Sequence, residues 1–176
     1  AIDTARFQVL GIDWLGGCGS STAPGSGESF PFVAAEDQAA ALAHLLTELR
    51  IERAHALVGS SYGGMVGLQF AALFPQRLRH LCTLGAAHQS HPQASAWRAV
   101  QRGIVQLGLA TAKGPEALQL ARALAMTTYR TPGELADRFS GPPQFDGQKL
   151  RQPVQDWLDA RGADFAARWL PEQFLC

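Results

Sequence analysis

AHALVGSSYGGMVGLQFAALFP, residues 54–75, is the stretch whose reading decides the fold. Ala54 to Gly59 is too short and too uniformly apolar for a surface helix and reads as a buried central strand. It runs without a spacer into Tyr62 to Phe74, apolar on nearly every side. That segment reads as a buried helix ended by Pro75, which has no N–H to donate and clashes with the preceding turn. Arg79 to Gly85 (RHLCTLG) follows as another strand. Working back from residue 54, Ala39, Leu42, Leu45, Leu46 and Leu49 recur at helical spacing within Val33 to Arg50. Glu36 and Asp37 lie near the start of that helix, where its dipole favours anions. Before it, Phe7 to Trp14 (FQVLGIDW) reads as a buried strand and LGGCGSSTAPGSGESFPF as a long loop rich in Gly, Ser and Pro. Strand, helix, strand, helix, strand in this order implies right-handed crossovers and a parallel sheet with helices on both faces.

After about residue 90 no further strand-like run is visible, and apolar residues fall at helical intervals. The spacing predicts helices over Ala94 to Leu109, Pro115 to Met126, Pro132 to Phe139 and Leu150 to Trp169, interrupted by GPPQFDG. The expected organisation is therefore α/β: a partial parallel-sheet core over residues 1–89 and a helical cap over residues 90–176.

Within the deciding stretch, Gly59-Ser60-Ser61-Tyr62-Gly63-Gly64 matches G-x-S-x-G between a predicted strand and a predicted helix. That placement is the context of a nucleophile elbow and of an α/β-hydrolase-type core. A tight strand-to-helix turn holds the serine in a strained conformation, and flanking glycines admit neighbouring backbone where a Cβ would block it. The Ser61 hydroxyl then projects at a helix N-terminus, where unpaired N–H groups can face the oxygen of a tetrahedral intermediate. The Tyr62 N–H is the expected oxyanion donor. Ser60 as nucleophile would put the glycines out of register. The competing reading is a Gly/Ser-rich turn in a non-catalytic α/β protein.

A serine hydroxyl needs a base. In this kind of core the acid and then a histidine follow the serine in chain order, at the ends of later strands, and no later strand is predicted here. His44 falls on a helix, and His55 and His80 fall near strand starts, at the edge opposite Ser61. His88 and His91 follow the C-terminal end of a strand and are the candidates on the active side, with polar lining of the cap as their alternative role. The expectation is that the acid and base lie beyond Cys176.

Composition narrows the rest. Fifteen basic residues balance fifteen acidic ones and no cationic stripe forms, so neither a nucleic-acid nor an anionic-membrane surface is expected. The apolar runs fall well short of the ~20 residues that span a bilayer, and AIDTARF lacks a signal-peptide pattern, which makes a cytoplasmic protein the default. Cys18, Cys82 and Cys176 are odd in number and lack metal-ligand spacing, so neither a disulfide framework nor a metal site is expected.

Four segments extend the resemblance beyond the elbow: AIDTARFQVLGIDWLGGCGSSTAP (1–24), SFPFVAAEDQAAALAHLL (29–46), VGSSYGGMVGLQFAALFPQRL (58–78) and LQLARALAMTTYRTPGELADRF (118–139). Together they resemble, in order and over nearly the whole chain, the homoserine O-acyltransferase family of methionine biosynthesis. The resemblance implies a ping-pong reaction in which the serine takes an acyl group from acyl-CoA (acetyl-CoA or succinyl-CoA) and passes it to the hydroxyl of L-homoserine. No bound cofactor is implied. Ser61 matches the family nucleophile. Arg122 matches an arginine that holds the amino-acid substrate, with Tyr129 further along the same segment, and a guanidinium fork suits a carboxylate. A homodimer through the cap helices is also implied. Departures from the family pattern are Asp13 where Asn is usual, Tyr62 in place of Met, and a shorter stretch between Gln101 and Leu120. Cys18 belongs to the pattern and is read as a packed thiol. A serine esterase on the same scaffold is the alternative activity.

Overall fold

The computed structural model describes residues 2–145 and 147–176; Ala1 and Asp146, in the AIDTARF and GPPQFDG segments, lie outside the described residues. The N-terminal part is built on helix α1 (Ala35–Glu48), strand β1 (Ala54–Ser60), helix α2 (Tyr62–Leu73), a 3₁₀ turn (Pro75–Arg77) and strand β2 (Leu78–Leu84). β1 and β2 pair in parallel, with Ala54 opposite Leu78 and Ser60 opposite Leu84. Two parallel neighbours need a crossover, which α2 supplies.

Helix α1 starts where the sequence places anions: the Ala34 N–H donates to Asp37 Oδ2 at 2.8 Å, satisfying an otherwise orphaned donor. It ends at Arg50, in the left-handed region with φ 57°, after which the Ile51 N–H returns to the Leu46 carbonyl at 2.8 Å. The face that packs is Ala39, Leu42, Ala43 and Leu46. Leu45 and Leu49, expected in the same stripe, are exposed instead: Leu45 lies further round the helix, and Leu49 is the C-cap beyond its last turn. With Val66 and Phe70 of α2 and Leu78, these residues form the first core cluster, and Leu57 and Leu81 pack against it from the sheet. Burying side chains of this size contributes about 1.5–3 kcal/mol each.

Helices α3 (Pro92–Ala110), α4 (Gly114–Thr127), α5 (Pro132–Phe139), α6 (Pro153–Ala166) and α7 (Pro171–Leu175) follow. Val105, Leu118 and Ala121 form a second cluster, with Phe165, Trp169 and Phe174 packed against it. The α3–α4 approach needs Gly108, where a Cβ would sit 2.1 Å from that of Ala117. The α4–α6 approach needs Gly162, where one would sit 2.6 Å from the Gln119 carbonyl oxygen. The loop after Trp14 joins the two clusters: the Gly27 N–H donates to Glu172 Oε1 at 2.7 Å, and Trp169 lies against Gly17.

The structure corrects three sequence expectations. Phe7 to Trp14 forms no strand, and Phe7, Val9 and Leu10 are exposed. An apolar run becomes a strand only where a ladder partner takes its backbone groups, and β1 is paired only with β2 among the described residues. The described helices of the N-terminal part pack against one side of the sheet, not both. Val58 and Leu84 are each 55% exposed on the other side. Finally, in a small antiparallel ribbon β3 (Gln144–Phe145) lies in the expected break and β4 (Leu150–Arg151) takes the start of the helix expected over Leu150 to Trp169, which begins at Pro153 instead. Two-residue strands carry too little periodicity to register in sequence. No helix of the described residues is long and apolar enough to cross a membrane.

Candidate active site

Ser61 is the single residue between β1 and α2, and its backbone is at φ 51°, ψ −118°. A non-glycine residue held there stores about 1–3 kcal/mol of strain, which persists only because the surroundings fix the chain on both sides. Its N–H donates to the Leu84 carbonyl at 2.8 Å, tying the turn to the end of β2, and its carbonyl accepts from the Gly64 and Met65 N–H groups at 3.0 and 3.1 Å as the first helical bonds. Further along α2, Val66 and Phe70 are fully buried. The bend is thus held at its strand end and at its helix end.

The glycines divide by role. A Cβ on Gly59 would lie 2.3 Å from the Gly63 carbonyl oxygen, and one on Gly64 would lie 2.5 Å from Ala86 Cβ. Both are required by close approach. On Gly67 a Cβ would meet Leu57 and Leu81 at 2.7 and 2.8 Å, so this glycine lets α2 settle on the sheet. Gly63 differs, because its nearest neighbour would be Trp14 Cζ2 at an ordinary 3.6 Å.

Ser61 is exposed, and among the described residues its hydroxyl makes no hydrogen bond and does not cap α2. The Tyr62 and Gly63 N–H groups likewise donate to no described acceptor, as expected for the first turn of a helix. A nucleophilic oxygen and unspent donors therefore meet at the positive end of a helix, an arrangement suited to an oxyanion.

Gln38 supports this corner, and the sequence reading missed it. It is 3% exposed, accepts from the Leu15 N–H at 3.1 Å and donates to the Leu15 carbonyl at 2.9 Å. Its side chain also faces the Tyr62 hydroxyl. Burial holds the Tyr62 phenol above its ordinary pKa; the Gln38 amide opposes this, while the charges of Asp37 and Glu36 add to it. Trp14 stands edge-on to Tyr62 with ring centroids 6.0 Å apart. A glutamine on the apolar side of a helix was the available signal, since a buried amide must find partners. Asp13 serves the same loop, with Oδ2 accepting from the Ser20 N–H at 2.9 Å. Cys18, read as packed, is exposed in that loop.

A groove of about 910 Å³ runs from Trp14, Gly59 and Gly63 along β1 to Phe7 and His55. His55 and His80 meet edge-on with ring centroids 5.1 Å apart. These two residues are at the strand starts, away from Ser61. His91 is the N-cap of α3, its Nδ1 accepting from the Gln93 N–H at 3.2 Å, and His88 is exposed. Arg122 and Tyr129 are brought together, with the guanidinium carbon 5.5 Å from the Tyr129 ring centroid and 4.9 Å from that of Phe165. No group of three or more His, Cys, Asp or Glu among the described residues could hold a metal ion.

A family model described as alpha/beta hydrolase fold matches residues 1–168. The chain is 44% identical over 168 residues to a homoserine O-succinyltransferase of Xanthomonas campestris pv. campestris, a match covering 96% of this chain and 43% of that protein. It is 33% identical over 198 residues to a homoserine O-acetyltransferase of Symbiobacterium thermophilum, covering 99% of this chain and 52% of the other. Among solved structures, a homoserine O-acetyltransferase from Staphylococcus aureus superposes with a TM-score of 0.73 at 22% identity, covering 93% of this chain and 46% of that one. The chain thus spans about half the length of the relatives it matches.

Proposed function

Since the chain belongs to the α/β-hydrolase fold family, we propose that it is the nucleophile-bearing part of an acyl-CoA-dependent homoserine O-acyltransferase, with Ser61 as the residue that carries the acyl group. The observation that carries the reading is the free Ser61 hydroxyl at a positive-φ bend between β1 and α2, in a chain similar to proteins named for acyl transfer to homoserine. In the first half-reaction Ser61 Oγ attacks the thioester carbonyl carbon, the C–S bond breaks, and the thiol of CoA leaves with a proton. In the second, the hydroxyl oxygen of homoserine attacks the seryl ester, and the new ester leaves as Ser61 regains its proton. The Tyr62 N–H would face the oxyanion in both steps, and one such donor contributes about 3 kcal/mol in comparable acyl transfers. Among the described residues neither His88 nor His91 is hydrogen-bonded to Ser61.

The test is to give the full-length protein acetyl-CoA or succinyl-CoA and follow thiol release with and without homoserine. Continued turnover is expected only when homoserine is present, with at most a burst of one equivalent without it. Steady release that ignores homoserine would identify a hydrolase instead.

A further inference from the structure

We infer that Phe165 is a positioning residue for Arg122, holding the guanidinium by its face so that its N–H edge stays free for the carboxylate of an amino-acid acceptor; this rests on the proposed acyl transfer to homoserine. Most arginines with described contacts spend their donors on the protein. Arg77 donates to the Glu52 and Ile51 carbonyls, Arg151 to Asp156 and Asp159, and Arg102 to the Leu175 carbonyl. Arg122 differs. It is half-buried on α4, yet among the described residues its guanidinium makes neither a hydrogen bond nor an ion pair. What holds it is aromatic: its Cζ lies 4.9 Å from the Phe165 centroid and 5.5 Å from that of Tyr129. A ring attracts the cation through its π face and offers no lone-pair acceptor, and no described acceptor takes a guanidinium N–H, so the fork that suits a carboxylate remains available.

Phe165 is itself fixed. Trp169, one helical turn on, stacks against it at 5.2 Å and 10°, and Phe174 meets it edge-on at 6.1 Å. Trp169 in turn lies against Gly17, whose N–H donates to the Trp14 carbonyl at 3.1 Å, and Trp14 is the ring set edge-on to Tyr62. The cation on the cap is therefore referenced, ring by ring, to the loop beside the elbow.

The experiment compares Phe165→Leu, Phe165→Tyr and Arg122→Met in the enzyme, measuring the KM for homoserine, kcat, and the rate of the acyl-CoA half-reaction without acceptor. Phe165→Leu keeps apolar volume and is expected to raise the homoserine KM about tenfold while the first half-reaction stays within about twofold. Phe165→Tyr is expected to restore the wild-type KM. If Arg122→Met raises the KM and Phe165→Leu does not, the positioning role is overturned and the reading of Arg122 stands. If Arg122→Met leaves the KM unchanged, Arg122 does not hold the acceptor and the inference falls with that reading. Equal loss in both half-reactions for Phe165→Leu, unrepaired by Phe165→Tyr, would make Phe165 a packing residue and overturn the inference too.

Discussion

Ser61 and Thr131 are both hydroxyl residues at helix N-caps, and the chain uses them in opposite ways. Thr131, before α5, has extended backbone at φ −75°, ψ 153°, and its side chain accepts from the Glu134 N–H at 3.2 Å. Ser61, before α2, sits at φ 51°, ψ −118°, and its hydroxyl caps nothing. At Thr131 the oxygen stabilises the helix. At Ser61 the backbone conformation carries the side chain away from the helix's own donors, leaving hydroxyl and N–H groups free together. A helix start with a relaxed serine is a cap; one with a strained serine is a place where chemistry can happen, at a cost in stability.

The sharpest way to break this comparison is to remove each hydroxyl and ask what is lost. Ser61→Ala is expected to lower the turnover of acyl-CoA with homoserine by at least about 10³-fold. Its thermal midpoint should stay near wild type, because no hydrogen bond to that oxygen exists among the described residues. Retained turnover would show that Ser61 is not the acyl carrier, and a large fall in melting temperature would show that its hydroxyl has a structural partner.

The second largest effect is expected at the glycines that create the bend. Gly59→Ala places a methyl 2.3 Å from the Gly63 carbonyl oxygen, and the Gly63–Gly64 peptide it meets is backbone that cannot turn aside as a side chain could. A loss of about 3 kcal/mol in denaturant melts is expected, at the upper end of overpacking costs. Gly63→Ala meets only Trp14 at 3.6 Å and should cost under about 1 kcal/mol, the loss typical of an ordinary surface or helix-start change. Equal losses would mean that the motif's two glycines do the same job, contrary to the geometry.

What could be read in the sequence follows the same division between local and distant causes. The strand-to-helix bend was legible because most of its cause lies within residues 54–75: a strand, a helix and the glycines that let them meet. The helices of the second half were legible for a similar reason, with α5 falling on Pro132–Phe139 as the spacing predicts. Phe7 to Trp14 was misread because apolarity is local and strand pairing is not. Phe165 was invisible as a partner of Arg122 because α4 and α6 meet only in the folded chain, although Trp169 four residues on signals an aromatic cluster there. Gln38 was missed because its partners, the N–H and carbonyl of Leu15, lie 23 residues earlier in sequence.

The smallest effect belongs to the other half of the comparison. Thr131→Ala removes the acceptor for the Glu134 N–H and should cost about 1 kcal/mol, the usual value of an N-cap. Glu134 also pairs with Arg130 and Arg138 at 3.0 and 3.5 Å, but these side chains are too exposed for the pairs to compensate. Because α5 has no buried residue, the loss should appear first as faster amide exchange within Pro132–Phe139, with activity unchanged. Thr131→Ser keeps the oxygen and should recover most of the protection. If Thr131→Ala instead lowered turnover as Ser61→Ala is expected to, a capping hydroxyl would be coupled to the reaction, and backbone conformation at a helix start would no longer separate the two roles.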